Sequence, residues 1–293
     1  MSKSTLDPEA AAGTIRTWLG EADHVLITAG AGLSAAAGYD YGDEDRFREL
    51  FPALHRIGLR SRYLVGVPLP PELWWGYWAV HIDDIRFSPD PNPLYQQLSS
   101  LVDGKDHWVM TSNVDALFAR NGFDPDRIFT PQGDYGRYQC TTPCTTATWD
   151  TQPLVAQLLT TYDPATGAVT GPLPSCPNCG GEVEINVRIG PEFVDDPYLP
   201  AGRRLQDWLG STVGTRVLIL EFGAGFNTPG VIRRPGEHLT RQNPHTRFVR
   251  VNPTHPETPD DLAGRTLSVP VGADHLLDAL NVPHPAPDPT VAS

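Results

Sequence analysis

The stretch HVLITAGAGLS, residues 24–34, decides the fold of this chain. It opens with a short apolar run and passes directly into a turn of alanines and glycines. A buried strand of a parallel sheet typically enters a tight turn and then a helix in this way. Small residues let a backbone approach a pyrophosphate, and the first helical turn supplies N–H groups. A tight turn without any ligand is the alternative.

The turn is not a G-x-G-x-x-G fingerprint, so an ordinary hydride-transferring dehydrogenase is not favoured. Further strand candidates follow along the chain and alternate with helical segments. They lie at 107–111, 128–130, 215–222, 246–251 and 267–269. This alternation predicts an α/β fold with a doubly wound parallel sheet, whose ligands bind at the carboxyl ends of the strands. A second turn rich in glycine, after residue 222, belongs to the same edge.

The charge balance excludes some partners. Lys+Arg number 22 and Asp+Glu 35, which gives a formal net charge of −13. Nucleic-acid binding is not expected, because phosphate backbones require clustered Lys and Arg. No run approaches the ~18 apolar residues of a membrane span, and the N-terminal residues form no hydrophobic signal region. We therefore expect a cytoplasmic protein without a membrane partner.

Two polar side chains follow the second strand candidate, in TSNVD at 111–115. Asn113 and Asp115 project to the same side if the strand direction persists. An amide and a carboxylate together can orient a carboxamide, a water or a ribose hydroxyl. An Asx cap at the strand end is the alternative.

Four cysteines form two close pairs, Cys140 with Cys144 and Cys176 with Cys179. In a reducing compartment such spacing favours a metal site over disulfides. Four thiolates suit a closed, tetrahedral, structural zinc site with no open position for water. Two disulfides or four buried free thiols are the alternatives.

Composition also divides the chain. Residues 46–89 are predicted to be a helical module whose tryptophans and tyrosine form a packed aromatic cluster rather than a ligand site. Residues 138–199 are irregular and are predicted to be a small zinc-binding module inserted in the main sheet. The remaining segments are a discontinuous Rossmann-like domain at 1–45, 90–137 and 200–282, and a disordered tail at 283–293.

Together these pieces resemble the sirtuin family, over about residues 10–282. The motifs occur in the family's order: GAGLSAAAG at 30–38, TSNVD at 111–115, the two cysteine pairs, GAG at 223–225, Val251-Asn252 and Ala273-Asp274. The resemblance implies a Rossmann-like domain that binds NAD, a zinc-ribbon module and a helical module beside the cleft. It also implies cleavage of the nicotinamide–ribose bond and transfer of the ADP-ribosyl unit to a nucleophile.

The chain departs from the deacylase members of that family. Gln132 stands where the family has a catalytic histidine, and glutamine cannot act as a general base near neutral pH. Residues 38–47 and 186–193 also differ, the latter by carrying Arg188. These departures resemble the macrodomain-linked class M sirtuins, which implies protein ADP-ribosylation. The implied acceptor is a lipoyl-carrier protein related to the glycine-cleavage H protein, and the implied second partner is a macrodomain hydrolase.

The resemblance also implies roles for single residues. Asp115 would hold the nicotinamide carboxamide, Asn113 a water or ribose hydroxyl, and Gln132 the ribose. The implied NAD-binding set is Ala29, Gly30, Ala31, Ser34, Arg46, Ser112, Asn113, Asp115, Gln132, Gly223, Ala224, Gly225, Val251, Asn252, Ala273 and Asp274. The competing hypotheses are a lysine deacylase, an NAD hydrolase and a zinc-ribbon interaction protein without enzymatic activity.

Overall fold

The computed structural model describes residues 8–226 and 229–281. The strands are β1 His24–Ala29, β2 Asp106–Thr111, β3 Ile128–Phe129, β4 Gly133–Cys140, β5 Trp149–Asp150, β6 Tyr162–Asp163, β7 Ala168–Val169, β8 Val183–Val187, β9 Val217–Phe222, β10 Arg247–Val251 and β11 Thr266–Val269. The helices are α1 Pro8–Glu21, α2 Ala31–Ala36, α3 Glu44–Leu50, α4 Pro52–Arg56, α5 Pro71–Arg86, α6 Pro93–Leu101, α7 Leu117–Arg120, α8 Thr151–Thr160, α9 Leu199–Ser211, α10 Arg233–Gln242 and α11 Ala273–Asn281. The tail predicted at 283–293 lies outside the described residues.

Six parallel strands form the main sheet, in the order β11-β10-β9-β1-β2-β3. Strand β1 lies in the middle of the sheet. Strands β2 and β3 follow on one side of it, and β9, β10 and β11 follow on the other. The predicted doubly wound α/β fold is confirmed. The strand order changes direction at β1, which has β2 on one side and β9 on the other. At this switch point Ala29, the last residue of β1, is level with Thr111 and Phe222.

Both faces of this sheet are covered, which explains why its strands are nearly continuous apolar runs. On one face α1, α6 and α11 pack through Ile15, Leu98 and Leu276. On the other face α9 packs through Leu205 against Leu26 and its neighbours. The strand β9 is buried along its whole length. The carboxyl edge of the sheet is therefore a rigid platform for the loops that follow it.

A second core lies beside the sheet. Helix α5 contributes Trp75, Tyr77 and Trp78, all of them buried, so the predicted aromatic cluster is confirmed. The same core takes in Val155 of α8 and Ile185 of β8. Residues from 46–89 and 138–199 are thus packed together in one core, and their boundaries as modules stay predictions.

Side-chain caps fix the starts of two helices near the site. Asp43 accepts the N–H of Arg46 at the start of α3. Asn92 accepts N–H groups of the first turn of α6, which begins with Pro93. Both arrangements satisfy backbone donors that a helix leaves without partners at its first turn. Within 8–226 and 229–281, no helix combines the length and the apolar character that crossing a membrane requires.

Candidate active site

The two turns rich in glycine meet at the carboxyl edge of the sheet. A Cβ on Gly30 would lie 2.8 Å from the carbonyl oxygen of Gly223, and one on Gly32 would lie 2.7 Å from the Gly223 Cα. Gly223 itself has φ +59, a conformation that favours glycine. The Gly32 N–H donates to the Gly223 carbonyl at 3.1 Å. The turns after β1 and β9 therefore share one packed backbone contact that only glycine allows.

Asn113 and Asp115, here called the strand-end pair, lie directly against the first of these turns. The side-chain amide of Asn113 donates to the Gly30 carbonyl at 3.0 Å. Asp115 accepts the Ser34 hydroxyl at Oδ2, 2.5 Å away, and the Leu117 N–H at Oδ1, 3.0 Å away. Both side chains are buried. The structure thus brings together three residues that the sequence analysis assigned to the site from two separate motifs.

Two opposing effects act on the Asp115 carboxyl. Burial raises its pKa above the ordinary value, whereas the hydrogen bonds from Ser34 and from the Leu117 N–H lower it. Both donors stabilise the ionised form, since they point N–H or O–H groups at the carboxylate oxygens. The group is therefore held as a hydrogen-bond acceptor inside a nearly dry environment.

These residues open onto a cavity of about 110 Å³, here called the inner cavity. Its lining contains Ala31, Ser34, Ala35, Ser112, Asn113, Val114 and Asp115, together with Tyr39, Tyr41, Tyr63 and Tyr135. The hydroxyl of Tyr41 donates to that of Tyr135 at 3.2 Å. The sequence analysis missed this wall of four tyrosines, because three of them come from irregular segments with no periodic signal.

A larger cavity of about 510 Å³ lies next to it, here called the outer cavity. Its lining contains Gly32, Ala35, Ala36, Gly223, Val251, Asn252, Pro253, Thr254, His255, Gly272, Ala273, Asp274 and His275. Ala35 lines both cavities, so the two adjoin at helix α2. Residues predicted to contact the two ends of one dinucleotide thus fall into two neighbouring cavities.

Some predicted cofactor residues lie behind the cavities rather than in their walls. Ala29 is fully buried, and its carbonyl accepts the Ser112 N–H at 3.0 Å. Ala224 is also buried, while Gly225 is exposed. Arg46 is paired with Asp84 at 2.6 Å and is half-exposed. Their predicted contacts with a cofactor stay predictions.

Gln132 is half-buried and is not among the described residues that line either cavity. Its carbonyl accepts the Arg188 N–H at 2.9 Å. The next residue, Gly133, has φ +106, and a Cβ there would overlap the carbonyl of Asn186. The loop that carries Gln132 is therefore fixed to the segment after β8 by its backbone.

A buried arginine that the sequence analysis missed ties together the loops around the outer cavity. The Nη1 group of Arg233 donates to the carbonyls of Ala224 at 2.8 Å and His255 at 3.1 Å. Its guanidinium carbon lies 4.5 Å from the ring centre of Phe226. Asn252 also donates to the Ala224 carbonyl, at 3.1 Å. The loops after β9 and β10 are thus held to each other.

The two cysteine pairs, whose nearest members are 32 positions apart in the sequence, converge at one point. Their sulfur atoms all lie within 4.8 Å of one another. Cys140 approaches Cys179 to 3.7 Å and Cys144 approaches Cys176 to 3.6 Å, and all four are free thiols. The structure therefore lacks the two disulfides that were one alternative, and its sulfur geometry suits a tetrahedral ion with four thiolate ligands.

Two curated proteins resemble the chain over most of its length. The "Probable bifunctional ADP-ribose hydrolase/ADP-ribosyltransferase" of Fusarium oxysporum f. sp. cubense is 38% identical over 255 residues, which are 83% of this chain and 42% of that protein. The "Protein ADP-ribosyltransferase" of Staphylococcus aureus strain Mu50 is 30% identical over 263 residues, 87% of this chain and 82% of that protein. The chain belongs to the class M sirtuins, the protein ADP-ribosyltransferases of sirtuin type. It spans about two fifths of the length of the Fusarium relative. No protein-family model matches it.

Solved structures confirm the sirtuin fold. A Sir2 homologue in complex with NAD superposes with a TM-score of 0.59 at 19% identity, covering 92% of this chain and 91% of that one. A Sir2 complex with a p53 peptide and NAD⁺ gives 0.54 at 16% identity, covering 90% and 95%. In this sirtuin the turns rich in glycine, the strand-end pair and the cysteine cluster therefore sit on the expected scaffold.

Proposed function

We propose that this sirtuin uses NAD as a co-substrate and transfers its ADP-ribosyl unit to a protein. The observation that carries the proposal is the meeting of the inner and outer cavities at Ala35. One cavity holds the amide–carboxylate pair and the other holds the residues after β10 and β11. An extended dinucleotide has two such ends, joined by a pyrophosphate.

The residues fit such a ligand in three places. The outer cavity, with Asn252 and Asp274 in its wall, would take the adenosine half. The glycine contact between the turns after β1 and β9 would leave the backbone free of side chains beside the pyrophosphate. The inner cavity would take the nicotinamide ribose, with Asp115 accepting a hydrogen bond from the carboxamide.

The transfer needs orientation and electrostatic support more than a strong base. The bond between nicotinamide and the ribose anomeric carbon breaks, and its electron pair leaves with nicotinamide. The acceptor side chain supplies the new pair to the same carbon. Asn113 and Gln132 would orient a ribose hydroxyl or water, and the tyrosine wall would exclude bulk solvent from the charged transition state.

The acceptor that we propose is a lipoyl-carrier protein, on the strength of the resemblance to class M sirtuins. A macrodomain hydrolase is the proposed second partner. The description of the Fusarium relative, which combines hydrolase and transferase in one longer protein, supports such a pairing. Cytoplasmic localisation is part of the proposal, since four free thiols suit a reducing compartment.

The cysteine cluster would hold one structural zinc ion. Cys140 ends β4 and Cys144 follows it, whereas Cys176 and Cys179 precede β8, so a shared ion would join two segments that are distant in sequence. A bound zinc would supply rigidity only, because four thiolates leave no position for water.

One assay distinguishes the candidate functions. The full chain is incubated with labelled NAD and a lipoyl-carrier protein, or with an acetylated peptide. Label on the carrier protein supports the proposal; free ADP-ribose alone indicates a hydrolase, and acetyl-ADP-ribose indicates a deacylase. Asn113→Ala should lose roughly 10²–10³-fold in rate, the usual cost of one preorganised donor. Asn281→Ala, at an exposed position on α11, is the matched control and should keep full activity.

A well-folded Asn113→Ala variant with full transfer activity would contradict the placement of the site. Thermal melts of both variants, run in parallel, show that the comparison concerns folded protein.

A further inference from the structure

A third cavity lies at the opposite edge of the sheet, about 390 Å³ in volume. It is lined by residues that immediately precede or begin the strands, together with the end of α1, and is here called the basic cavity. The lining residues are Trp18, Glu21, Ala22, Arg216, Val217, Pro244, His245, Arg247 and Arg265. The candidate active site occupies the carboxyl edge of the same strands, so the basic cavity is separate from it.

The charge of this cavity contrasts with that of the whole chain. The chain carries a net charge of −13, yet three arginines and a single carboxylate, Glu21, line this cavity. Arg216 is neutralised by Asp23, to which its Nη2 group donates at 2.5 Å. That pairing holds the pKa of Asp23 down at about 2. Arg247 and Arg265 are different, because in the described part of the chain neither has a carboxylate within ion-pair distance. Asp261, which is ion-paired with Arg241, interacts with Arg265 only at longer range.

The sheet places these two arginines side by side. Phe248 pairs with Thr266 in the parallel register of β10 and β11. Arg247 and Arg265 each come one position before that pair, so they are neighbours on the two strands. Neighbouring strands are about 4.8 Å apart, and like charges opposite each other on paired strands are destabilising. A bound anion would relieve that repulsion.

Both guanidinium groups are held in place from one side. Arg247 donates through Nη1 to the Gly264 carbonyl at 2.8 Å and lies over the Trp18 ring at 5.3 Å. Arg265 donates through Nη1 to the carbonyls of Thr240 at 2.6 Å and Asn243 at 3.1 Å. These contacts use one nitrogen of each group. The Nε and Nη2 donors of both arginines have no protein acceptor among the described residues.

We propose that the basic cavity binds a phosphorylated small molecule, with its phosphate bridging Arg247 and Arg265. A phosphate dianion matches two anchored guanidinium groups in charge and in donor geometry. The cavity volume is in the range of small-molecule sites.

Calorimetric titration with inorganic pyrophosphate tests the proposal, using the full chain and two variants, Arg247→Gln and Arg265→Gln. Each variant should bind pyrophosphate at least about tenfold more weakly, since each loses one charged donor group. The affinity of Arg247→Lys for pyrophosphate should lie between those of wild type and Arg247→Gln. Lysine keeps the positive charge but lacks the planar, bidentate donor geometry of a guanidinium group. Arg204→Gln, an exposed arginine on α9, is the matched control and should bind as wild type does.

Thermal melts give a second readout that also reports on folding. Pyrophosphate should raise the melting temperature of the wild type and of Arg204→Gln, and should raise it much less in the two Gln variants. Wild-type protein with no saturable binding at millimolar pyrophosphate would overturn the proposal. Equal affinity in the wild type and both Gln variants would also overturn it, because binding would then lie elsewhere, such as in the candidate active site. A parallel titration with citrate separates phosphate from carboxylate, and tighter citrate binding would contradict the phosphate assignment.

Discussion

Ser34 donates its hydroxyl to Oδ2 of Asp115 across 2.5 Å, and both side chains are buried. This hydrogen bond joins α2, which follows β1, to the loop that follows β2. The two residues belong to motifs that lie 81 positions apart in the sequence. The contact fixes the carboxylate in one orientation at the wall of the inner cavity.

Ser34→Ala should shift the acid limb of the pH–rate profile to higher pH. The Ser34 hydroxyl lowers the pKa of Asp115, so its removal leaves burial less opposed and the pKa rises. If the carboxylate is the active form, activity is then lost at a higher pH as the solution is acidified. The measurement is kcat/KM for NAD against pH. Ser100→Ala, at an exposed position on α6, should leave the profile unchanged. An acid limb in Ser34→Ala that coincides with wild type would show that Asp115 does not titrate in the reaction.

Cys176→Ser should release one zinc ion per chain and lower the melting temperature. The four sulfur atoms lie within 4.8 Å of one another, and loss of one thiolate breaks the tetrahedral set. Structural zinc contributes on the order of 10 kcal/mol in small zinc modules. Elemental analysis of protein prepared without chelator measures the metal content. Ser175→Ala, at the exposed neighbouring position, should keep the metal. Wild-type protein without zinc would contradict the proposed site.

Gln132→His should gain little or no deacetylase activity. Arg188 donates its N–H to the Gln132 carbonyl at 2.9 Å and its Nε group to the Pro131 carbonyl at 3.1 Å. Its guanidinium also stacks on Phe193 at 4.3 Å. A new imidazole changes none of these contacts, so the polar segment after β8 stays fixed to the loop that carries residue 132. An acetylated peptide is the substrate to use, with Gln132→Ala as the matched variant. Robust deacetylation by Gln132→His would show that the histidine was the only missing part.

The residues that the sequence could assign carry local signals. The run before Gly30 is apolar and the turn is small, so both the strand and the tight turn were predictable from neighbours in the chain. Asn113 and Asp115 were identified because they follow such a strand. The cysteines were identified by their spacing, and the structure confirms that they converge.

The residues that the sequence could not assign depend on contacts between distant segments. Tyr41 and Tyr135 are 94 positions apart and meet only when the loop before α3 packs against β4. Arg233 begins a helix whose sequence is mostly polar, and nothing local marks that arginine as buried. Tertiary packing decides both cases, and single-sequence periodicity does not record it.

His81 should make the free energy of unfolding depend on pH below about 6.5. Burial, with a smaller contribution from Arg62, holds its pKa well below the ordinary value in the folded state. The unfolded chain takes up a proton near pH 6.5, so it binds more protons than the folded chain in acid. Acidification from pH 7 to pH 5 should therefore cost up to about 2 kcal/mol through this one residue.

Denaturant unfolding of His81→Phe at both pH values measures that contribution. The variant should lose less stability on acidification than wild type, whereas His238→Gln, at an exposed position on α10, should lose as much as wild type. Neither ring nitrogen of His81 has a hydrogen-bond partner among the described residues. Its ring packs edge-on against Tyr41 and Tyr135 of the inner cavity wall, and phenylalanine keeps a ring in that position, so folded His81→Phe should retain its transferase activity. An equal pH dependence in His81→Phe and wild type would contradict the prediction.

Arg233→Met should raise the KM for NAD by roughly tenfold and change kcat little, since charged hydrogen bonds contribute about 1.5–3 kcal/mol. Arg233 donates to the carbonyls of Ala224 and His255 and stacks on Phe226. These residues belong to the loops after β9 and β10, and the second loop lines the outer cavity. No such contact reaches Asn113 or Asp115, so binding should suffer while the chemical step does not.

The split between KM and kcat is the measurement that separates positioning from general destabilisation. Arg233→Lys should recover part of the affinity, because an ammonium keeps the charge but cannot reproduce two fixed donors and a stacked plane. Arg234→Met, the adjacent and exposed arginine, should behave as wild type. Melting curves identify any variant that is merely unfolded. A fall in kcat with unchanged KM in folded Arg233→Met would show that the loops after β9 and β10 act on the reacting centre itself, and not on the adenosine end of the cofactor.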